Sequence, residues 1–119
     1  MAGEIVGSPL YMSPEQCRGE DLDERSDIYS FGCVMFEVLC GFPPFVGSNY
    51  FETMTMHVNQ PAPLLDEYET PRRKISPKLK QIVAKCLEKL PEDRFQNSRQ
   101  LLTELEAIRM PAATIDGSQ

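Results

Sequence analysis

The sequence predicts an all-α fold of four main helices and one shorter helix. In several separate stretches the apolar residues recur every three or four positions, the spacing of a helix that buries one face. Residues that start and stop helices flank these stretches. No stretch alternates apolar and polar residues as a half-buried strand does. We therefore expect helices without a sheet.

The first two helices are marked by their end residues. Ser13 is an N-cap and Pro14 follows at the first helical position, which predicts a short helix. A longer helix should run from about Asp23 to Cys40 and end at Gly41, in the left-handed conformation. Its apolar stripe is broad, so we expect a central helix that is wrapped on most sides. The stripe consists of Ile28, Phe31, Val34, Met35, Phe36, Val38 and Leu39.

Three further segments complete the predicted helices. One helix should cover residues 49–59, with Asn49 and Glu52 as a pair resembling a capping box. Another should begin at Ser76 and Pro77 and end near Leu90, and the last should run from about Asn97 to residue 109. The polar connection of residues 60–75 contains either a short turn or a mobile loop. Residues 110–119 are small and polar, which predicts a disordered tail.

Composition excludes several classes of function. The chain has 119 residues and a formal net charge of −6, which argues against nucleic-acid binding. No apolar stretch approaches the roughly 18 residues of a membrane span, and the N-terminus lacks a signal-peptide pattern, so we expect a cytoplasmic protein. The four cysteines form no CxxC pair and His57 is the lone histidine. We therefore expect reduced thiols and no metal site.

Four segments carry a more specific signal through their order and spacing. They are Gly7-Ser8-Pro9-Leu10-Tyr11-Met12-Ser13-Pro14-Glu15, Ser26-Asp27-Ile28-Tyr29-Ser30-Phe31-Gly32, Gly41-Phe42-Pro43-Pro44-Phe45 and Pro91-Glu92-Asp93-Arg94-Phe95. Together they resemble the C-terminal half of a protein kinase domain: the end of the activation segment, the start of the long central helix, the turn after it and the loop before the last helix. The hydroxyl of Ser8 and the wording of the motifs resemble bacterial serine/threonine kinases of the eukaryotic-like type.

The resemblance implies a division of the chain. Residues 1–12 would form the end of the activation segment and the substrate-binding loop. Residues 13–109 would form a helical fragment of the lower C-lobe, and residues 110–119 the tail. The parent enzyme would transfer the γ-phosphoryl group of ATP to serine or threonine hydroxyls of proteins, with Mg²⁺.

The motifs that bind ATP and transfer phosphate do not occur in these 119 residues. There is no Gly-rich loop, Val-Ala-Ile-Lys, His-Arg-Asp or Asp-Phe-Gly motif. We therefore assign no catalytic residue and no cofactor to this chain and expect it to be inactive alone. Its part in the parent would be to position the protein substrate and to supply scaffold. The alternative is a non-catalytic helical interaction module descended from a kinase.

The resemblance also implies roles for particular residues. Ser8, Pro9, Leu10, Tyr11 and Met12 would form the substrate-binding loop, in which Ser8 would contact the catalytic aspartate and lysine of the parent. Outside that context Ser8 would be an ordinary turn serine.

Four residues would have structural roles. Glu15 and Arg94 would form a bidentate, partly buried ion pair, the alternative being two unrelated surface charges. Asp27 would accept backbone N–H groups of the catalytic loop, or else cap its own helix locally. Gly32 costs a helix roughly 1 kcal/mol relative to alanine, which indicates close backbone packing.

The partners implied are a protein substrate and the N-terminal half of the kinase domain. Without that half, the chain should expose an apolar face and self-associate.

Overall fold

The fold was obtained as a computed structural model, which describes residues 8–117, with side chains described as far as residue 108. The α-helices of this part are α1 (Pro14–Cys17), α2 (Glu24–Cys40), α3 (Tyr50–Asn59), α4 (Pro77–Cys86) and α5 (Ser98–Gly117). Short 3₁₀ helices cover Pro9–Tyr11, Leu65–Tyr68 and Pro91–Asp93. Residues 8–117 contain no strand beyond an isolated antiparallel bridge between Thr70 and Arg73. The all-α prediction, with four main helices and one short helix, is confirmed.

The helix ends follow from local side-chain chemistry. Ser13 and Gln16 form a reciprocal capping box at α1, and Asp23 caps α2 by accepting a hydrogen bond from the Arg25 amide. Gly41 ends α2 with a φ of 97°. Asn49 accepts a hydrogen bond from the Glu52 amide at 2.8 Å. The second half of that predicted capping box is absent, because the Glu52 carboxylate accepts hydrogen bonds from Ser48 instead.

The core lies along one face of α2. Tyr29, Cys33, Phe36 and Cys40 are buried at helical spacing and pack against Leu65, Ile75, Val83 and Leu87. A second buried cluster consists of Ile28, Ile82, Cys86, Phe95 and Leu101. Helix α2 therefore organises both clusters, and α4 packs against it in each.

The opposite face of α2 is open, which corrects the prediction of a helix wrapped on most sides. Phe31 and Val34 are each 43% exposed and Val38 is 76% exposed. The apolar stripe assigned from the sequence mixed two faces, because Ile28 and Phe36 are buried whereas Phe31, Val34 and Val38 are exposed. The described elements cover only one of these two faces.

Segment lengths also differ from the predictions. Helix α4 ends at Cys86, before Leu90, and Leu87 turns into the core as its cap residue. Helix α5 continues to Gly117, so residues 110–117 are helical where the sequence predicted a disordered tail. Ala112 and Ala113 favour this extension by their helix propensity, whereas Pro111 before them cannot donate a helical hydrogen bond. Residues 118–119 lie outside the described part.

The fold answers the question that the sequence left open for the connection of residues 60–75. The connection of residues 60–75 contains the 3₁₀ helix Leu65–Tyr68, whose Leu65 is buried in the core.

No helix in residues 8–117 is long and apolar enough to cross a bilayer. The free thiols Cys33, Cys40 and Cys86 are buried, and Cys17 is partly buried.

Gly32 lies where α2 and α4 meet most closely. A Cβ atom at this position would stand 2.6 Å from the Cys86 Cβ and 3.1 Å from the Leu87 Cδ2. Both atoms belong to the core, so neither can move freely. The close backbone packing predicted from the sequence is present.

We predict that Gly32→Ala destabilises the chain by about 1–3 kcal/mol, the usual cost of overpacking. The same change in an unobstructed helix interior stabilises by about 1 kcal/mol. Urea denaturation of both proteins measures the difference. A stabilised Gly32→Ala variant would contradict the close approach of α2 and α4.

Candidate functional site

A buried ion pair connects two segments that are 79 positions apart in the chain. Arg94 Nη1 lies 2.7 Å from Glu15 Oε2, and Arg94 Nη2 lies 2.9 Å from Glu15 Oε1. The contact is bidentate, which is the strongest arrangement of a guanidinium and a carboxylate. The Arg94 side chain is 0% exposed and that of Glu15 is 5% exposed. The structure thus places in contact the two residues that the resemblance pairs.

The guanidinium of Arg94 uses all of its N–H donors. Besides the two bonds to Glu15, Nε donates to the Glu88 carbonyl at 2.8 Å and Nη2 to the Lys89 carbonyl at 3.0 Å. Nη1 also donates to the Arg25 carbonyl at 3.0 Å. An arginine has five such donors, so no buried donor remains unpaired. Arg94 therefore joins α1, α2 and the segment that follows α4.

Glu15 remains ionised in this environment. Burial alone would raise the pKa of its carboxyl group. The hydrogen bonds from Arg94 and Ser26 outweigh burial and lower the pKa to about 2. The Ser26 hydroxyl donates to Glu15 Oε2 at 2.6 Å. The pair is thus charged on both sides at neutral pH.

The loop of residues 8–12 lies on α2 and is held there by two side chains. Ser30 Oγ donates a hydrogen bond of 2.6 Å to the Tyr11 carbonyl oxygen. The Tyr11 hydroxyl donates to the Glu37 carboxylate, and this hydrogen bond raises the pKa of the phenol. The backbone and the side chain of Tyr11 are therefore both fixed to the same helix.

The rest of the loop has a defined shape. Ser8 caps the 3₁₀ helix by accepting a hydrogen bond of 3.2 Å from the Leu10 amide, and its side chain is exposed. The Tyr50 hydroxyl of α3 lies 3.9 Å from the Met12 sulfur. The loop is thus ordered between α2 and α3, with Ser8 at its open end. Residues 1–7, which the prediction joined to it, lie outside the described part.

Asp27 is not joined to these residues. It is exposed near the start of α2, beside a groove of about 940 Å³ between α2 and α5. Phe31, Leu102 and Leu105 also line this groove. The role that the resemblance assigns to Asp27 stays a prediction.

Sequence reasoning missed several residues of the site. Ser30 and Glu37 hold the loop, and Ser26 supports Glu15. Ser26 belongs to the kinase-like motif of residues 26–32 and directly precedes Asp27, so the sequence did offer a signal for it. Glu37 lies in a stretch that was considered only for its hydrophobic pattern. His57 was considered only as a metal ligand, whereas it is buried beneath the loop.

The residues present do not form a site for Mg²⁺. Within residues 8–117, no three His, Cys, Asp or Glu side chains are arranged to hold a metal ion. We therefore derive no catalytic step through ATP or Mg²⁺ from this chain.

The fold and the loop define a class of protein: a helical scaffold that presents an ordered peptide loop on a long central helix. Comparison with known proteins agrees with this description. A family model described as protein kinase domain matches residues 2–105. The chain belongs to this family and forms a serine/threonine protein kinase fragment, so the alternative of a separate interaction module is not favoured.

The relatives are bacterial kinases. Serine/threonine-protein kinase PknB of Mycobacterium leprae is 40% identical over 102 residues, which cover 85% of this chain and 16% of the relative. The PknB of Mycolicibacterium smegmatis is 39% identical over 103 residues, with the same coverage. Serine/threonine-protein kinase pkn3 of Myxococcus xanthus is 32% identical over 117 residues, covering 98% of this chain and 21% of the relative. The chain thus spans about a sixth to a fifth of the length of these relatives.

We predict strong coupling between Glu15 and Arg94 in a double-mutant cycle. Glu15→Gln or Arg94→Gln alone should cost about 3–5 kcal/mol, because each leaves a buried charge unpaired. The double variant should cost less than the sum, with a coupling of roughly 0.5–3 kcal/mol measured by urea denaturation.

The matched control for this cycle is the surface pair Arg18–Glu20, whose atoms are 3.0 Å apart with side chains 39% and 55% exposed. Glu20→Gln should cost less than about 1 kcal/mol. Additive effects at Glu15 and Arg94 would contradict the ion pair.

Proposed function

We propose that this chain is the substrate-positioning part of a kinase that transfers the γ-phosphoryl group of ATP to protein serine or threonine hydroxyls. The observation that carries the proposal is the ordered loop of residues 8–12, held on α2 by Ser30 and Glu37. A loop with a fixed backbone can present a peptide in one orientation, and orientation supplies a large share of the rate enhancement in phosphoryl transfer.

Each residue of the loop has a proposed part. Ser8 would contact the catalytic aspartate and lysine of the N-terminal half, which its exposed hydroxyl is free to reach. Pro9, Leu10, Tyr11 and Met12 would shape the pocket for the residue after the phosphoacceptor. Glu15 and Arg94 would hold α1, and with it the end of the loop, in place.

The remaining parts of the proposal concern the intact kinase. ATP and Mg²⁺ would bind to the N-terminal half of the domain, whose motifs this chain does not contain. A protein substrate would bind to the loop. Because ATP is the phosphoryl donor, we place this signalling activity in the cytoplasm.

The experiment that tests the function is a chimera. Residues 2–105 of this chain replace the matching segment in PknB of Mycobacterium leprae, and transfer of labelled phosphate to a protein substrate is measured. We expect activity from the chimera and no magnesium-dependent ATP binding by the separate chain in calorimetry, because its phosphate-binding motifs are missing.

Two variants of the chimera serve as a matched pair. Ser8→Ala should lower kcat about tenfold or more, the effect of losing one hydrogen bond to a charged group, whereas Ser8→Thr keeps the hydroxyl and should stay active. A chimera that melts cooperatively but transfers no phosphate would refute the proposal.

The exposed face of α2 is proposed as the surface that the N-terminal half covers. Phe31, Val34 and Val38 form it, and the groove beside Leu102 continues it. Apolar patches of several hundred Å² on one protein favour association.

We predict that the purified 119-residue chain forms dimers or larger species in sedimentation velocity. Val38→Glu should shift it towards monomer, because the carboxylate would be desolvated at the contact. Phe51→Glu is the matched control, since Phe51 is also 76% exposed but belongs to α3. A monomeric native chain, or an equal effect of both variants, would argue against this face.

A further inference from the structure

One buried histidine has no part in the function proposed so far. His57 of α3 is 0% exposed, and its Nδ1 lies 2.7 Å from the Tyr29 hydroxyl oxygen. Its Nε2 makes no hydrogen bond of good geometry to any residue between 8 and 117. A buried polar atom without a partner is costly and rare, so its surroundings need an explanation.

The groups near the imidazole come from the substrate-binding loop. The 3₁₀ helix Pro9–Tyr11 of this loop packs against α3, which carries His57. The carbonyl groups of Pro9 and Leu10 oppose the lowering of the imidazole pKa by burial, as hydrogen-bond acceptors do. Since Nδ1 is occupied by Tyr29, Nε2 is the nitrogen left to contact these carbonyls. A carbonyl oxygen can only accept, so Nε2 must carry the proton for the contact to be favourable.

The hydroxyl of Tyr29 can donate to Nδ1 and is therefore compatible with this tautomer. A neutral imidazole has one N–H donor and one acceptor nitrogen. If the Tyr29 hydroxyl donates to Nδ1, the proton is on Nε2 and points to the loop. The reverse arrangement would place a lone pair of Nε2 against the carbonyl oxygens of Pro9 and Leu10, which is repulsive.

We propose that His57 is a positioning residue that holds the backbone of the substrate-binding loop through an Nε2–H directed at the Pro9 and Leu10 carbonyls. The inference rests on the proposed function only in that the loop is called substrate-binding. The contact itself is a property of this chain.

The surroundings keep the imidazole neutral and fixed. Burial, together with the charge of the nearby Lys89 and opposed by the loop carbonyls, lowers the pKa of His57 to about 4. The Lys89 ammonium donates a hydrogen bond of 2.8 Å to the His57 carbonyl and lies 4.3 Å from the centre of the Phe45 ring. The Phe45 ring meets the imidazole edge-on at 5.0 Å.

His57 also connects the loop to the buried ion pair. The guanidinium carbon of Arg94 lies 5.0 Å from the centre of the Tyr29 ring. A continuous series of contacts therefore runs from Glu15 through Arg94, Tyr29 and His57 to the loop. Arg94 thus contacts the Tyr29 ring, and the Tyr29 hydroxyl contacts Nδ1 of His57.

The first test is the tautomer of His57 in the native chain. The chain has one histidine, so a long-range ¹H–¹⁵N spectrum of its imidazole is unambiguous. We expect a protonated Nε2 and an unprotonated Nδ1 at pH 7. A protonated Nδ1 would overturn the proposal, and Tyr29→Phe should keep the Nε2–H form, because the loop carbonyls accept only from a protonated Nε2.

The second test is hydrogen exchange of the loop amides in two variants. The amides of Tyr11 and Met12 close the 3₁₀ turn through bonds of 3.3 and 3.4 Å. His57→Gln can place an amide N–H where Nε2 stood, whereas His57→Asn can replace only Nδ1. We expect exchange of these two amides to be about three- to tenfold faster in His57→Asn than in His57→Gln.

Amides within α4 report the global stability of each variant and serve as the internal control. If the loop amides change only in proportion to those of α4, His57 is a packing residue and the proposal fails.

The third test separates this inference from the proposed function. In the active chimera, His57→Asn should raise the KM for a peptide substrate about three- to tenfold, leave the KM for ATP unchanged, and be rescued by His57→Gln. An unchanged peptide KM would overturn the positioning role while the proposed function stands. An inactive native chimera would instead refute the proposed function, and the tautomer and exchange results would still decide the contact.

Discussion

The bidentate contact between Glu15 and Arg94 is the interaction on which the rest of the described structure depends. It joins residues that are 79 positions apart, and Arg94 adds bonds to backbone carbonyls of α2 and of the segment after α4. A buried ion pair is weak evidence for stability, because desolvation offsets much of the attraction. The pair instead fixes the geometry of the fold. Because the planar guanidinium of Arg94 uses every N–H donor, it permits one arrangement of three segments.

The loop of residues 8–12 is supported from two sides. Ser30 and Glu37 fix Tyr11 to α2, and the Tyr50 hydroxyl of α3 lies near the Met12 sulfur. The side chain of Tyr29 lies between Arg94 and His57 and contacts both. Packed side chains therefore connect Arg94 with His57.

The two faces of α2 have different roles. One face holds the core through Tyr29, Cys33 and Phe36, and the close approach at Gly32 sets the distance to α4. The other presents Phe31, Val34 and Val38 to solvent in the described part. A helix that is apolar on both faces is typical of one buried within a larger domain. The match to a protein kinase domain and the small share of each relative that it covers agree with this pattern.

Much of this protein was determined by its sequence alone, because the signals concerned are local. The caps Ser13 and Gly41 mark their helices by backbone hydrogen bonding and by a positive φ, and the four ordered motifs indicate the family. Tertiary structure alone decided which face of α2 is core, because Tyr29 and Cys33 become core residues only through their neighbours. It also decided the roles of Glu37 and His57. The role of Glu37 depends on the Tyr11 phenol, and the proposed role of His57 depends on two loop carbonyls. These groups lie far away in sequence, so the spacing of residues along the chain does not predict the contacts.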